Sequence, residues 1–332
     1  MQAYVVLLTK CNLSCSHCIR NFTENTKDII SFAEVTNIFD EIYTNNPKTH
    51  LILTGGEPTL HPDFFKILSY ANNLFDHISI CSNGVYNEKT LNGLYDFPKI
   101  TVQISIDGDA QYHDLMRGSG NFERSLQTIK KLIQNNIPTT VSTTVNKLNI
   151  NSIIDLGKIL TQFNLKKWQI ELEQTFSVDE SKKLLSISEW NSFVDSLLAQ
   201  IKIPISIKKL YDFDLFRRME NKYGKSTLEK ISNPNCGCCR SKYYIYPDKT
   251  VRICTCIDNF FLGNLNEESL NEIIKKFPEM RKKFNIKYNT PCINCEWLYI
   301  CNGGCPGYSN FVFNEFGFGD IRCPKVRDYY GL

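Results

Sequence analysis

Residues 4–18 read YVVLLTKCNLSCSHC, an apolar run followed by three closely spaced cysteines. The apolar run 4–8 has the length and composition of a buried strand, and Cys11, Cys15 and Cys18 follow directly after it. Thiolates hold iron–sulfur clusters, and a four-iron cube normally takes four of them. A tight loop that offers three thiolates therefore predicts a cube with one iron open to an exchangeable ligand.

Short runs of β-branched, aliphatic and aromatic residues alternate with stretches of helical periodicity over the first half of the chain. This alternation is typical of βα units around a parallel sheet. Six strands are predicted, near residues 3–8, 50–54, 77–81, 100–106, 139–145 and 168–173. Six strands are too few to close an eight-stranded barrel.

Two helices between these strands have clear sequence signatures. Ser31 and Glu34 have the spacing of a capping box, and an apolar face follows at Val35, Ile38, Phe39 and Ile42. A second helix is predicted after Asn121, with an apolar face at Leu126, Ile129 and Ile133.

Length, charge and cysteine usage limit the function classes. The chain has 332 residues, a net charge of +3 and 14 cysteines. This charge is too small to indicate nucleic acid as a partner. We find neither a signal segment nor an apolar stretch long enough for a membrane span, so we predict a cytoplasmic protein with no membrane partner. In a reducing compartment, clustered cysteines indicate metal ligands rather than disulfides.

A second group of cysteines lies in the C-terminal third. Its members are Cys236, Cys238, Cys239, Cys254, Cys256, Cys292, Cys295, Cys301, Cys305 and Cys323. One tetrathiolate site cannot use all of them, whereas two could. Pairs of the C-x2-C type also suit tetrahedral zinc, so zinc remains an alternative for this region. A hairpin is predicted here, with 243–246 and 251–254 as strands around the turn 247–250.

The loops after the predicted strands carry further candidate residues. In Thr54-Gly55-Gly56-Glu57-Pro58, the glycines allow close backbone approach and positive φ, and the glutamate offers a carboxylate to an ammonium group. Polar residues also follow the third and fourth strands, where Arg117 could present its fork to a carboxylate. The remaining candidates in these loops are Ser82, Asn83, Ser105 and Asp107.

The C-x3-C-x2-C loop after an apolar strand, together with the G-G-E-P sequence, resembles the radical S-adenosylmethionine (radical SAM) superfamily. This resemblance implies an α/β fold with a partial (β/α)6 TIM-like barrel. It also implies that Cys11, Cys15 and Cys18 hold a [4Fe-4S] cluster whose open iron binds S-adenosylmethionine, which is cleaved reductively to a 5′-deoxyadenosyl radical. The implied S-adenosylmethionine site consists of Gly55, Gly56, Glu57, Pro58, Ser82, Asn83, Ser105, Asp107, Arg117 and Val145. His17 occupies a place that is usually aromatic in the family, and a packed or supporting histidine is an equal alternative.

The C-terminal cysteines resemble the SPASM extension of peptide-modifying members, which holds two auxiliary [4Fe-4S] clusters. By this resemblance one cluster has the ligands Cys292, Cys295, Cys301 and Cys323, and the other has Cys239, Cys254, Cys305 and either Cys236 or Cys238. Of these two, we expect Cys236 to be the ligand. The implied domains are a barrel over 1–215, a linker over 216–235 and a small cysteine-rich SPASM domain over 236–332. Cys256 is the candidate catalytic thiol, whereas Cys81 is expected to be a buried small side chain.

The resemblance implies an enzyme that abstracts hydrogen from a residue of a ribosomally synthesised peptide, giving a crosslink or an epimer. Its expected partners are the peptide, an electron donor such as flavodoxin or ferredoxin, and a separate leader-recognition protein.

The main alternative is a radical SAM oxidoreductase acting on an aminoglycoside or a cofactor precursor, which the lack of a domain before the first strand favours modestly. A sulfatase-maturing enzyme ranks lower, because Thr255 stands where those enzymes usually carry an acid. A non-catalytic zinc protein is the remaining alternative. The chain also has Lys249 where the family commonly has glycine.

Overall fold

The computed structural model describes residues 1–18, 28–174, 185–231, 238–255, 257 and 260–332. The strands in these ranges are β1 Gln2–Val6, β2 His50–Thr54, β3 Ile78–Ser82, β4 Ile100–Ser105, β5 Thr139–Val145, β6 Lys167–Leu172, β7 Ile205–Ser206, β8 Lys242–Ile245, β9 Thr250–Arg252 and β10 Phe261–Asn264. Strands β1 to β6 confirm the six predicted strands, and their ends differ from the predicted ends by at most two residues.

The described strands form a single sheet in the order β10-β9-β8-β1-β2-β3-β4-β5-β6-β7. From β8 through β1 to β7 every neighbouring pair is parallel, and β9 and β10 extend the sheet by antiparallel pairing. Because β10 and β7 are the two edges of this order, the sheet is open. The α/β fold with a parallel sheet and a cysteine-rich C-terminal region is therefore confirmed.

The described helices lie between and after these strands along the chain. They are α1 Phe32–Asn45, α2 Phe64–Leu74, α3 Glu88–Leu94, α4 Ala110–Arg117, α5 Asn121–Gln134, α6 Ile153–Leu160, α7 Ile187–Gln200, α8 Phe213–Tyr223, α9 Lys225–Ile231, α10 Leu270–Lys275, α11 Phe277–Lys283, α12 Leu298–Cys301, α13 Pro306–Phe313 and α14 Pro324–Tyr330. Short 3-10 turns lie at Pro58–Leu60 and Ile150–Ser152. Among the described residues, no helix is long and apolar enough to cross a bilayer.

Helix α1 begins at the predicted capping box. The Ser31 hydroxyl accepts the Glu34 N–H at 3.4 Å, and the Glu34 carboxylate accepts the Ser31 N–H at 2.9 Å. All four predicted apolar residues of α1 are buried. In α5, Ile129 is buried, and Leu126 and Ile133 are partly buried against the same core. Amphipathic periodicity therefore placed both helices against the sheet correctly.

Strand β8 pairs with β1 in a way that the sequence did not predict. Ala3 lies opposite Tyr243, and Val5 lies opposite Ile245. The cysteine-rich region therefore continues the sheet of the first half instead of standing apart from it. One hydrophobic core includes side chains from both regions, such as Val5 and Ile253. The division into 1–215, 216–235 and 236–332 stays a prediction.

The predicted hairpin is present, with β8 and β9 paired antiparallel. In its turn Lys249 has a φ of 64°, the left-handed region in which glycine carries no side-chain penalty. The turn is closed by a hydrogen bond from the Lys249 N–H to the Tyr246 carbonyl at 2.9 Å. The Lys249 ammonium lies 3.3 Å from the Glu34 carboxylate, so this lysine also links the hairpin to the start of α1.

We expect Lys249→Gly to be about 1 kcal/mol more stable than Lys249→Ala, because both variants lose the Glu34 ion pair but only alanine retains the left-handed penalty. Urea unfolding followed by tryptophan fluorescence measures the difference. Equal unfolding midpoints for the two variants would contradict a left-handed residue 249.

Candidate functional site

The three N-terminal cysteines lie in a loop directly after β1, at the carboxyl ends of the parallel strands. Cys11 and Cys15 are partly buried, and Cys18 is exposed. Burial raises the pKa of Cys11 and of Cys15. Two donors oppose this at Cys11, because the Leu13 N–H lies 3.4 Å and the Asn83 amide nitrogen 3.7 Å from its sulfur. The loop therefore supplies hydrogen bonds that favour a thiolate.

The Gly-Gly-Glu-Pro turn after β2 is bonded to the backbone that leads into this loop. The Gly56 N–H donates to the Leu8 carbonyl at 2.9 Å, and the Glu57 N–H donates to the Lys10 carbonyl at 3.0 Å. A Cβ on Gly56 would lie 2.3 Å from the Lys10 oxygen, which no side chain can tolerate. The expectation of positive φ is wrong for Gly55 and Gly56, since neither has it; both glycines are needed for close packing against the cysteine loop.

The Glu57 carboxylate is fully buried and connects two strand ends. One oxygen accepts the Thr59 hydroxyl at 2.7 Å, and the other accepts the Asn83 N–H at 2.9 Å. The Ser82 hydroxyl lies 2.9 and 3.0 Å from the two oxygens. Burial raises the pKa of Glu57 against these hydrogen bonds. Three predicted site residues, Glu57, Ser82 and Asn83, thus lie together beside Cys11, and Pro58 begins the 3-10 turn that Glu57 caps.

Asp107 and Arg117 form a buried ion pair behind the cysteine loop. The Arg117 Nε lies 2.5 Å from Asp107 Oδ2, and His17 Nε2 lies 3.1 Å from the same oxygen. The other oxygen accepts the Thr144 N–H at 2.8 Å. Although burial alone would raise it, Arg117 and His17 hold the pKa of Asp107 well below its usual range. Arg117 Nη1 also lies 3.8 Å from the Cys15 sulfur, which brings a cation to the cluster loop.

One ring nitrogen of His17 has no hydrogen-bond partner among the residues that the structure describes. Its Nε2 faces Asp107 and Arg117, whereas its Nδ1 is buried and has no hydrogen-bond partner among the described residues. A buried polar atom without a partner is uncommon in native structures, and a polar ligand beside the cysteine loop would supply one. This observation fits a nucleoside or another polar ligand beside the cysteine loop.

The other predicted contacts lie at the ends of β4 and β5. Ser105 is partly buried, and the Val145 side chain is fully buried in the core. Two residues that sequence reasoning missed lie nearby. Glu173 is a buried carboxylate after β6 that accepts the Asn146 amide at 2.5 Å, and the Asn149 amide donates to the Asp107 carbonyl at 2.7 Å. Position directly after a strand is the signal that could have found Glu173.

One predicted set of C-terminal cysteines surrounds a single pocket. The four are Cys292, Cys295, Cys301 and Cys323, and Tyr211, Leu298 and Val326 complete much of the wall. Burial, with further contributions from the neighbouring cysteines, raises the pKa of Cys292 to about 12 and that of Cys301 to about 11. Such thiols would be protonated at neutral pH without a bound cation, and a metal or cluster that binds here would displace these protons.

The second predicted set is described only in part. Cys239 and Cys238 are buried, Cys254 and Cys305 are partly buried, and Cys236 and Cys256 lie outside the described residues. The ligand role of Cys236 and the catalytic role of Cys256 therefore stay predictions. Cys81 is partly buried on β3. In the described part of the chain, no group of three or more His, Cys, Asp or Glu side chains is close enough to hold a single metal ion.

Comparison with known proteins identifies the domain that contains the N-terminal cysteine loop. The radical SAM superfamily model matches residues 5–159. The sporulation killing factor maturation protein SkfB of Bacillus subtilis is 33% identical over 152 residues, which are 45% of this chain and 37% of that protein. The mycofactocin maturase MftC of Mycobacterium ulcerans is 24% identical, covering 94% of this chain and 85% of that protein.

Further similarity extends over nearly the whole chain. A cysteine-type anaerobic sulfatase-maturating enzyme of Clostridium novyi is 24% identical, covering 97% of this chain and 92% of that enzyme. Streptococcus suis SuiB bound to its precursor peptide SuiA has the same fold, with a TM-score of 0.77 at 16% identity over 98% of this chain and 75% of SuiB. The chain therefore contains a radical SAM domain over residues 5–159, and proteins named as maturases are among its relatives.

Proposed function

We propose that this radical SAM protein abstracts hydrogen from a residue of a ribosomally synthesised peptide and so forms a crosslink or an epimer. The observation that carries the proposal is the convergence of the strand ends on the cysteine loop. Asn83 bonds to Cys11 from β3, and Arg117 reaches Cys15 from the helix after β4. Residues far apart in sequence thus converge on one set of thiols, as a shared cofactor would require.

Cys11, Cys15 and Cys18 would hold the [4Fe-4S] cluster, whose chemistry when bound is to supply the electron that cleaves S-adenosylmethionine and frees the 5′-deoxyadenosyl group for hydrogen abstraction. The protein's own contribution is to orient the cysteine thiolates and to balance their negative charge. Leu13 and Asn83 donate to Cys11, and the Arg117 guanidinium lies beside Cys15. Each of these contacts favours an ionised sulfur and a defined loop conformation.

Glu57 would bind the amino group of the methionine moiety. Its carboxylate is buried, so an incoming ammonium group would gain a partner for which water does not compete. The ammonium charge would in turn favour the ionised carboxylate, which burial alone disfavours. Ser82 and the Asn83 N–H hold the carboxylate in place. Ser105, Asp107, Arg117 and Val145 remain proposed contacts, with Asp107 and Arg117 acting as a pair.

The cysteine-rich region would hold two auxiliary [4Fe-4S] clusters. The pocket formed by Cys292, Cys295, Cys301 and Cys323 supports one of them. The other would use Cys239, Cys254 and Cys305, together with Cys236 or Cys238. An auxiliary cluster can accept the second electron of a net oxidation, and an external donor such as flavodoxin or ferredoxin would supply the first. Cys256 would return a hydrogen atom if the product is an epimer.

A peptide substrate is supported by the relatives, since SuiB binds the precursor peptide SuiA and SkfB is a maturation protein. We further propose a cytoplasmic location and a separate leader-recognition protein. Sulfatase maturation is the second candidate, because the sulfatase-maturating relative covers 97% of the chain. Thr255 follows Cys254 and offers no carboxylate as a proton acceptor, which favours the first proposal.

Replacing Cys11, Cys15 and Cys18 with alanine should abolish cleavage of S-adenosylmethionine, because the open-iron cluster loses its ligands. About eight of about twelve irons should remain in the anaerobically reconstituted protein, since two auxiliary cubes keep theirs. Iron analysis and deoxyadenosine assays measure both results. Cys81→Ala is the matched control and should leave deoxyadenosine formation unchanged. Persistent cleavage in the triple variant would refute the assignment of the cluster.

Glu57→Gln should weaken S-adenosylmethionine binding by roughly tenfold to a hundredfold, because a charge-assisted hydrogen bond contributes about 1.5–3 kcal/mol. Equilibrium binding to the reconstituted protein measures the change, and the iron content should stay at the wild-type level. Glu88→Gln, on the surface of α3, is the control. Unchanged affinity in Glu57→Gln would remove Glu57 from the cofactor site.

Incubation of the reduced enzyme with the peptide encoded by a neighbouring gene should alter that peptide. A crosslink appears as the loss of two hydrogens by mass spectrometry, whereas an epimer appears as a D-residue at unchanged mass. A sulfatase-derived cysteine peptide should remain unmodified in parallel. Deoxyadenosine formation with no change in any neighbouring peptide would exclude this substrate class.

A further inference from the structure

Asp320 is a fully buried carboxylate between two segments that carry predicted cluster ligands. Arg322 pairs with it through two side-chain contacts, with Nε 3.1 Å from Oδ1 and Nη2 2.7 Å from Oδ2. The guanidinium in turn lies 4.2 Å from the ring centre of Tyr308. A buried ion pair of this kind is weak evidence for stability, because desolvation offsets the attraction between the charges. A contribution to stability therefore does not explain why the Asp320–Arg322 pair is buried here.

The hydrogen bonds of Asp320 to neighbouring segments give an explanation for its burial. Its carboxylate accepts the Cys305 N–H at 2.9 Å. Its own N–H donates to the Gly303 carbonyl at 2.9 Å, and its carbonyl accepts the Cys323 N–H at 2.9 Å. One residue thus makes two hydrogen bonds to the 301–305 loop and one to the turn at Cys323.

The 301–305 loop is pressed closely against Asp320. Gly304 has a φ of +79°, and a Cβ at that position would lie 2.4 Å from the Asp320 Cβ and 2.2 Å from the Tyr211 hydroxyl. Only glycine allows both the backbone conformation and this separation.

The helix that begins after Cys305 needs an acceptor at its start. Cys305 is the N-cap of α13 and provides no side-chain hydrogen bond for the helix. The Asp320 carboxylate lies at this end and accepts the N–H of the N-cap residue itself. A negative charge at a helix N-terminus is favourable because the N–H groups there carry partial positive charge.

We propose that Asp320 is a positioning residue that holds the ligand segments of both auxiliary clusters in one register. This inference rests on the proposed function, which assigns Cys301 and Cys323 to one cluster and Cys305 to the other. Asp320 accepts the Cys305 N–H with a carboxylate oxygen and the Cys323 N–H with its backbone carbonyl. Loss of the carboxylate would therefore release the Cys305 segment from the turn at Cys323, whereas the backbone contact to Cys323 would remain.

Two double variants separate positioning from charge pairing. Asp320→Ala/Arg322→Leu and Asp320→Asn/Arg322→Leu both remove the ion pair without leaving a buried charge, but only asparagine keeps a side-chain oxygen for the Cys305 N–H. We expect the alanine variant to retain about eight of about twelve irons after anaerobic reconstitution, because the cluster that uses Cys305 loses its positioned ligand, and the asparagine variant to retain most of them. Electron paramagnetic resonance should show the loss of one auxiliary signal in the alanine variant.

Controls distinguish loss of positioning from misfolding and from an error in the number of auxiliary clusters. Deoxyadenosine formation by both variants reports an intact N-terminal site, and Asp328→Ala on the exposed face of α14 should keep the wild-type iron content. Equal iron content in the two double variants would overturn the positioning role of Asp320. Wild-type protein with only about four irons would instead overturn the two auxiliary clusters of the proposed function.

Discussion

The structure depends on the backbone pairing between the cysteine loop and the glycine-rich turn after β2. The hydrogen bonds of β1 with β2 continue beyond both strands, through the Leu8 and Lys10 carbonyls to the N–H groups of Gly56 and Glu57. Because a side chain on Gly56 would collide with this backbone, the approach is possible only with glycine. The pairing sets the position of the Cys11 segment relative to the Glu57 carboxylate, and so it determines the geometry of the whole N-terminal site.

A buried carboxylate–guanidinium pair lies beside the cysteine segments of both the N-terminal and the C-terminal regions. Asp107 with Arg117, and Asp320 with Arg322, are buried carboxylate–guanidinium pairs beside cysteine segments. In each pair the carboxylate also accepts backbone N–H groups, from Thr144 in the first and from Cys305 in the second. These backbone bonds spread the anionic charge and fix the surrounding loops, which compensates for the desolvation that a buried ion pair suffers.

Much of the fold followed from local sequence, because its signals are local. Periodicity located β1 to β6 and the buried face of α1, and the resemblance to the SPASM extension grouped the four cysteines that line one pocket. The missed features depend on distant contacts or on few residues. Strand β7 has only two residues, and the pairing of β8 with β1 has no local signature. The packing role of Gly56 and the contacts of Asp320 likewise depend on partners that no single stretch of sequence reveals.

The pairing of β8 with β1 has a consequence for how the molecule assembles on the ribosome. Strand β1 is synthesised before the other described strands of the sheet, yet one of its two neighbours is the strand that contains Tyr243, far along the chain. Until that strand emerges, β1 presents an open row of backbone N–H and C=O groups, a surface that can join other chains. Closing such a distant contact slows folding, so nascent chains need protection from aggregation during most of translation.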